Sequence, residues 1–381
     1  MWKRVIGQQR VKNLLLAALR TGRLPHAYLF VGEEGVGKDA MALELARVMH
    51  CESKSEEACD RCSSCLRMDS LQHPDVHFIV ALPRGKNEED TDAPLDKLSN
   101  AEIETIREQL RLKGKNPYHR IAIPRANVIK ISSIRAIRRE AVLSKTGEGK
   151  KVFIISNAED MGPEASNTIL KTLEEPTGDT MLVLTTSRPD ALLSTIVSRC
   201  QRVRFDPLTE ADISAALMER HGVPQETAAL VARLAGGSYT VAVELLGADL
   251  AALRKDVVDF IRTTLGSNRV NIASHIEKLA ADKDRDFVVR YLRLMSIWFR
   301  DAFVLANGGR IINLDQQDDL QRFVAKFGTA DLRGVLAALD RSISLIYKNG
   351  YIPLVLLQLA VTLRRAILEP GRSQRRHYSI A

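Results

Sequence analysis

Short runs of β-branched and aliphatic residues alternate with helix-patterned segments along the first half of the chain. Five runs predict strands, at 27–31, 76–80, 152–155, 181–185 and 203–205. Apolar residues at helical spacing predict helices at 41–49 and 164–173 between them. The second of these helices ends before Pro176, because the residue that precedes a proline disfavours helical geometry. Strands separated by helices predict a parallel sheet with helices on both faces.

A segment rich in charge and proline, 83–125, interrupts the α/β pattern. It contains a helix-patterned stretch at 101–112, and we expect an insertion at the surface. From Thr209, an expected helix N-cap, the rest of the chain is helix-patterned. The sequence therefore predicts an α/β domain over 1–207, a small helical domain over 208–268, a second helical domain over 269–370 and a basic tail over 371–381.

The composition is that of a globular protein rather than of a disordered or membrane-spanning chain. Of the 381 residues, 45% are hydrophobic and 27% are charged. The longest apolar run near the end, 354–357, is too short to span a bilayer, and the first residues lack a signal pattern. A cytoplasmic location is expected. The net charge of +8, from 55 basic and 47 acidic residues, permits an acidic partner such as nucleic acid without indicating one.

Four of the five cysteines lie close together in the sequence. Cys51, Cys59, Cys62 and Cys65 have the spacing C-x7-C-x2-C-x2-C. A reducing compartment disfavours disulfides, and four thiolates form the closed tetrahedral shell that Zn²⁺ prefers in structural sites. We predict a structural zinc site, with four unligated thiols in a loop as the alternative. Cys200 lies apart and is expected to be a small buried apolar side chain.

A glycine-rich motif, Gly32-x4-Gly37-Lys38 with Gly35 inside it, follows the first predicted strand and opens a predicted helix. In a phosphate loop, backbone N–H groups surround the phosphates and the lysine reaches the outer ones. The next position is usually Ser or Thr, whose hydroxyl binds Mg²⁺, but here it is Asp39. The motif predicts a nucleotide-binding fold and leaves present-day ATP binding open.

The acidic pair of an ATP hydrolase is missing from its expected place. Such enzymes carry it at the end of a later strand, where it places Mg²⁺ and orients the attacking water. The residues after the strand at 152–155 are Ser156 and Asn157, which are uncharged. Glu159 and Asp160 follow beyond the strand end and are interpreted as part of a turn or as a helix cap. The ATPase machinery is therefore altered in two places.

Arg199 follows the predicted helix at 192–197, within Ser198-Arg199-Cys200. An arginine at an exposed helix end can reach across a subunit interface to a γ-phosphate and raise the rate of its transfer by about 10³–10⁵. Taken alone, the same residue is also typical of a surface ion pair.

Together these motifs resemble those of bacterial clamp loaders. They are, in chain order, Val5–Gln8, His26–Phe30, Gly35–Lys38, the cysteine cluster, Asn167–Pro176 and Ser198–Cys200, with Trp298–Asp301 and Asn349–Leu363 as less distinctive matches. The resemblance implies an α/β AAA+ P-loop NTPase-like domain with a zinc module, followed by a helical lid domain and an all-α collar domain. It also implies a place in the DNA polymerase III holoenzyme.

Two types of clamp-loader subunit compete within this resemblance. The tau/gamma type hydrolyses ATP, whereas the delta-prime type is usually inert and keeps the arginine that corresponds to Arg199. Three departures favour the delta-prime type: Asp39, the pair Ser156-Asn157, and the lack of a sensor arginine after Gly237-Ser238. The implied partners are tau/gamma and delta subunits and, through the complex, the sliding clamp and primed DNA. The implied metal is structural Zn²⁺.

Two alternatives stay open. An ATP-hydrolysing tau/gamma-type subunit would need Asp39 or Glu159 to replace the missing groups. A zinc-containing DNA-binding module outside replication would account for the cysteines and the positive charge. The C-x7-C spacing is one residue shorter than the family pattern, a change that a loop can absorb, and the resemblance assigns nothing to the insertion at 83–125.

Overall fold

The computed structural model describes residues 2–89, 91–142, 149–176, 179–246, 249–266, 269–281, 285–313, 316–347 and 350–369. The chain divides into two compact units, Met1–Val243 and Glu244–Ala381. The predicted tail at 371–381 lies outside the described residues. The finer boundaries after 207 and 268 stay predictions.

The first unit contains a five-stranded parallel sheet. Its strands are β1 (Ala27–Val31), β2 (Val76–Ile79), β3 (Lys151–Ile155), β4 (Thr180–Thr186) and β5 (Gln201–Arg204). Their order is β2-β3-β4-β1-β5. The three central strands β1, β3 and β4 are buried along their whole length, as near-continuous apolar runs require. The predicted strands and the parallel sheet are confirmed.

The first unit also contains ten helices among its described residues. They are α1 (Gln9–Arg20), α2 (Lys38–His50), α3 (Ser63–Met68), α4 (Asn100–Lys115), α5 (Ile131–Val142), α6 (Pro163–Glu174), α7 (Ser194–Arg199), α8 (Glu210–His221), α9 (Gln225–Leu234) and α10 (Tyr239–Leu245), which extends past the end of the unit. The helices predicted at 41–49, 101–112 and 164–173 lie within α2, α4 and α6. The helix predicted at 192–197 starts later, because Leu192 has an extended backbone, so Arg199 is its last residue.

The register of the sheet gathers the ends of three strands at one edge. Phe30 of β1 pairs with Thr185 of β4, and Ile155 of β3 pairs with Leu184 of β4. In a parallel sheet the carboxyl ends of neighbouring strands share an edge, which is where ligands bind in open α/β folds. The glycine-rich loop, Ser156 and Thr185 therefore lie near one another despite their separation in sequence.

The insertion is packed more deeply than the sequence indicated. It forms a small core of its own, from Val80, Leu98, Ile106 and Ile123. The helix α4 begins with a capping box, in which Ser99 and Glu102 exchange hydrogen bonds. The buried Lys130 ammonium also lies 2.7 Å from the Glu88 carboxylate. These contacts hold the insertion against the segment that follows the edge strand β2.

In the second unit, every element among the described residues is a helix. These are α11 (Leu250–Leu265), α12 (Arg269–Ala281), α13 (Arg285–Ala306), α14 (Gln317–Phe327), α15 (Leu332–Tyr347) and α16 (Ile352–Leu368). Trp298, Phe299 and Phe323 form an edge-to-face aromatic cluster with ring centroids 5.0–5.8 Å apart. None of the described helices combines the length and the apolar character needed to cross a bilayer.

Asp301 explains part of the Trp298–Asp301 motif. Its side chain is fully buried. One carboxylate oxygen accepts hydrogen bonds from the backbone N–H groups of Ile312 and Asn313, at 2.9 and 2.7 Å, and from the Asn313 side-chain amide at 2.9 Å. The aspartate therefore holds the segment after α13 against that helix.

Candidate functional site

The glycine-rich loop lies between β1 and α2, so the predicted strand–loop–helix context is confirmed. Gly37 has a φ of +100°, a left-handed conformation that favours glycine, and a Cβ there would lie 2.6 Å from the Tyr118 hydroxyl. A Cβ on Gly35 would clash with the Ser238 hydroxyl. Side chains from two distant parts of the chain therefore cover the loop.

Lys38 is turned towards its own loop. Its Nζ donates hydrogen bonds to the carbonyl oxygens of Gly32 and Glu33, each at 2.7 Å. The side chain is buried, and burial lowers the pKa of this lysine from its ordinary value against the opposing effect of nearby carboxylates such as Asp39. The ammonium that the motif assigns to phosphates thus has partners within the chain.

Asp39 is surrounded by donors from three other elements. Its carboxylate lies 2.9 Å from the Lys113 Nζ and accepts hydrogen bonds from Ser156 Oγ at 2.9 Å and Thr185 Oγ1 at 2.8 Å. Burial alone would raise the pKa of Asp39, but the Lys113 charge and these hydrogen bonds hold it below its ordinary value. The Asp39 side chain is 19% exposed, and both of its carboxylate oxygens have partners within the chain.

The residues after β3 place no carboxylate at the strand end. Ser156 bonds to Asp39, and Asn157 adopts a left-handed φ of 52° that starts a 3₁₀ turn, Ala158–Asp160. Within that turn Glu159 Oε1 accepts hydrogen bonds from the N–H and the hydroxyl of Ser187, at 3.1 and 2.8 Å. The interpretation of Glu159 and Asp160 as turn residues is confirmed.

Arg199 lies at the carboxyl end of α7, beside the carboxyl end of α6. One guanidinium nitrogen lies 2.7 Å from Glu174 Oε1, and another donates to the Thr195 carbonyl at 3.0 Å. The side chain is 35% exposed and that of Glu174 is 47% exposed. The neighbouring Cys200 belongs to the sheet core, where burial raises its pKa to about 12, so its predicted role as a buried apolar side chain is confirmed.

Three residues that the sequence analysis did not single out lie at the glycine-rich loop or beside it. Lys113 and Tyr118 come from the insertion and contact Asp39 and Gly37, whereas Arg220 comes from α8 and contacts the Tyr118 ring. The Tyr118 and Tyr239 rings have centroids 5.0 Å apart, and the Arg220 guanidinium lies 5.6 Å from each centroid. Only the tertiary structure brings them here, and no short motif marks them.

The four clustered cysteines converge as predicted. Their sulfur atoms all lie within 4.8 Å of one another, and a tetrahedral Zn²⁺ site with Zn–S bonds of about 2.3 Å places sulfurs about 3.8 Å apart. Backbone N–H groups donate to the sulfurs of Cys51, Cys59 and Cys62 at 3.2–3.4 Å. The N–H groups of Arg61 and Cys62 lower the pKa of Cys59, whereas burial raises that of Cys65. The donor set fits a thiophilic metal ion.

Comparison with known proteins adds the family. The family model described as "DNA polymerase III, delta subunit" matches residues 7–209. The Bacillus subtilis DNA polymerase III subunit delta′ is 36% identical over 57% of this chain and 53% of its own length. The tau subunit of the same organism is 27% identical over 64% of this chain and 36% of its own length. The match thus spans about half of the delta′ relative.

Among solved structures, a DNA polymerase III gamma-subunit-related protein of Thermotoga maritima aligns with 15% identity and a TM-score of 0.39, over 92% of this chain and 99% of its own. The family match covers more than half of the chain, and it includes the glycine-rich loop and the cysteine cluster. The chain belongs to the delta-prime family of DNA polymerase III clamp-loader subunits.

Proposed function

We propose that this chain is a non-hydrolysing clamp-loader subunit that supplies Arg199 to ATP bound on a neighbouring subunit. In this role it helps to load the sliding clamp onto primed DNA, together with tau/gamma and delta subunits. The proposal keeps the four-part division into an AAA+ domain (1–207), a lid (208–268), a collar (269–370) and a tail (371–381).

One contrast carries the proposal: the phosphate loop is engaged within the chain, whereas Arg199 lies at an exposed helix end. Lys38 donates to its own loop carbonyls, and Asp39 is held by Lys113. In a working P-loop enzyme these two positions contact phosphates and Mg²⁺. A chain with its own loop closed can act on ATP only when the nucleotide is bound by another subunit.

The ion pair of Arg199 is compatible with such a transfer. The side chains of Arg199 and Glu174 are both more than one third exposed. Exposed ion pairs contribute only about 0–1 kcal/mol to stability. A γ-phosphate carries more charge than the Glu174 carboxylate, so the guanidinium can exchange one partner for the other at little cost. It would then stabilise negative charge that develops during phosphoryl transfer.

The second unit offers a surface for assembly. On α16 the exposed apolar side chains are Leu354 (61%), Leu357 (48%), Val361 (44%) and Leu368 (39%), with Tyr351 (72%) just before the helix. Their spacing places them along one side of the helix. A contiguous apolar stripe of this kind marks an interaction surface, and we assign it to the collar domains of the partner subunits.

The cysteine cluster would hold structural Zn²⁺. Four sulfur ligands leave no open position for catalysis. Cys51 follows α2 directly, and Cys62 caps α3 by accepting a hydrogen bond from the Cys65 N–H. A bound ion would therefore join the end of the phosphate-loop helix to α3 and stiffen this side of the domain.

The deciding experiment measures DNA-stimulated ATP hydrolysis by the reconstituted clamp loader. Arg199→Ala should lower the rate at the adjacent ATP site by about 10³–10⁵, so the total rate falls by the share of that site. Arg202→Ala, an exposed arginine on β5, is the matched control and should leave the rate unchanged. An unaltered rate with Arg199→Ala would refute the proposed finger.

The alternative, an ATP-hydrolysing tau/gamma-type subunit, has one observation in its favour. Glu159 Oε2 is buried and has no hydrogen-bond partner among the described residues, so a carboxylate oxygen is free near Lys38. An ATP hydrolysis assay on the isolated chain distinguishes the two functions. Hydrolysis by the chain alone that is abolished by Lys38→Ala would establish the alternative, and a silent chain would support the proposal.

A further inference from the structure

The insertion at 83–125 brings a cation to the centre of the degenerate phosphate loop. The Lys113 Nζ lies 2.9 Å from Asp39 Oδ2 and donates to the His119 carbonyl at 3.0 Å. Its side chain is 7% exposed, which is rare for a lysine unless it is paired. The backbone of Gly114, the next residue, packs closely on Asp69, so α4 cannot easily withdraw.

The groups around Asp39 have the chemistry of a hard-cation site. The Asp39 carboxylate, the Ser156 hydroxyl and the Thr185 hydroxyl come from the start of α2, the end of β3 and the end of β4. Oxygen donors of these types suit Mg²⁺, which keeps several waters and takes one or two carboxylates. In P-loop enzymes, the position after the loop lysine and the end of the acidic strand hold Mg²⁺.

We propose that the Lys113 ammonium takes the place of a divalent cation at this site, and that the insertion thereby closes the phosphate loop of its own chain. The site is self-contained: it needs neither Mg²⁺ nor nucleotide to balance the charge of Asp39. This inference deepens the proposed non-hydrolysing function, because it assigns the insertion the role of occupying the cleft that nucleotide would otherwise enter.

Further contacts of the same segment complete the closure. The Tyr118 hydroxyl lies against Gly37 and accepts a hydrogen bond from the Ile6 N–H at 2.9 Å. Arg120 lies 2.7 Å from the Glu34 carboxylate, within the glycine-rich loop. The segment thus contacts the loop at Glu34 and at its last glycine, and it also contacts the residue after the loop lysine.

The proposal is testable with a single substitution that removes the Lys113 charge and keeps a side chain of similar length. In Lys113→Met the Asp39 carboxylate, which is only 19% exposed, loses its cation, and a largely desolvated charge without a partner is unfavourable. The three oxygen donors remain in place, so a divalent ion can take over. An ion that binds the folded state but not the unfolded state raises the melting temperature by mass action.

The experiment compares thermal unfolding of full-length variants with and without millimolar MgCl₂ or MnCl₂, without chelator so that the cysteine site is undisturbed. Lys113→Met should melt below wild type and recover by several degrees when Mg²⁺ or Mn²⁺ is added. Wild type and Lys115→Met, an exposed lysine on the same helix, should show no such response. Asp39→Asn/Lys113→Met should lose the response, because the carboxylate ligand is gone.

A folded Lys113→Met whose melting temperature ignores both ions, or a wild type that responds equally, would overturn the proposal. If Lys113→Met does not fold without metal, the yield of folded protein with and without MgCl₂ provides the same comparison. No ATPase assay is involved, so failure here is distinguishable from failure of the Arg199 function, which is measured only in the assembled loader.

Discussion

Lys38 and Asp39 are adjacent residues, one buried and one 19% exposed at its side chain, and their charges are satisfied in different ways. Lys38 bonds to carbonyl oxygens of its own loop, and Asp39 bonds to side chains from three other elements. Burial disfavours both charges and moves the two pKa values in opposite directions. For Lys38 burial prevails, whereas for Asp39 the Lys113 ammonium and two hydroxyl donors prevail. The replacement of a hydroxyl residue by Asp39 is thus paired with a compensating cation.

The lowered pKa of Asp39 predicts that this residue stabilises the folded protein at neutral pH and that the stabilisation is lost in acid. A carboxylate with a folded-state pKa below its ordinary value of 3.8 stabilises the fold above that pH. The contribution disappears as the pH falls through the folded-state pKa. Asp39→Asn should destabilise the protein by about 3–5 kcal/mol near neutral pH, because Lys113 is left buried without its partner. The stability difference between wild type and Asp39→Asn should become smaller as the pH falls below 3.8, the ordinary pKa of an aspartate.

Urea unfolding at a series of pH values measures this difference directly. The comparison with Asp39→Asn cancels the titration of other groups, including the cysteines. Asp206→Asn, an exposed carboxylate that pairs with Arg10, should cost little at any pH. A deficit of constant size down to the lowest pH at which the chain folds would contradict the assigned role of Asp39.

At the scale of elements, neighbouring segments contact both ends of the phosphate-loop helix α2. At its start, α4 delivers Lys113 to Asp39. At its end, Cys51 leads into the cysteine cluster, and Arg47 of α2 lies 2.6 Å from Asp69 beyond α3. Both ends of α2 are therefore held by neighbouring segments.

Metal content tests the element-scale role of the cysteine cluster. The purified chain should contain about one zinc ion per molecule, as a closed four-thiolate site requires. Cys59→Ser should remove most of it and lower the melting temperature. The sheet core, which lies elsewhere in the unit, should keep the chain folded.

Cys200→Ala is the matched control for this measurement. It also removes a thiol, but from the sheet core, and should leave the metal content unchanged. Equal metal content in wild type and Cys59→Ser would exclude the cluster as the metal site.

At the scale of the whole molecule, the two units expose different kinds of surface. The first exposes Arg199 at a polar helix end, and the second exposes the apolar stripe of α16. Under the proposed function, Arg199 would reach a phosphate on a neighbouring subunit, and the stripe would pack on partner subunits. Membership of the DNA polymerase III delta-prime family is compatible with both roles.

Assembly through the stripe is testable with charge substitutions. Leu354→Glu/Leu357→Glu places two charges on the stripe and should weaken association with tau/gamma and delta subunits by at least tenfold, because charged groups must be desolvated on binding. Size-exclusion chromatography with light scattering measures the assembly. Val270→Glu changes an apolar side chain that is 75% exposed on α12, outside the stripe, and should assemble normally. Normal assembly of the double variant would exclude the stripe as the interface.

Much of this protein could be predicted from local sequence. Strand and helix patterns, the glycine-rich loop and the cysteine spacing each depend on residues close together in the chain, where backbone geometry fixes the outcome. The start of α7 was misplaced by two residues, because Leu192 fits a helical pattern but adopts an extended backbone. The depth at which the insertion packs was also missed, because its charged composition is typical of a surface segment.

The sequence by itself determined the α/β fold, the family motifs, the candidate metal ligands and the changes at positions 39 and 156. The tertiary structure decided what those changes mean. Ser156 and Thr185 are 117 and 146 residues from Asp39 in the chain, and Lys113 reaches it from a helix that no motif connects with the loop. Local patterns record short-range geometry, whereas the satisfaction of a buried charge depends on which distant side chains the fold brings within hydrogen-bonding distance.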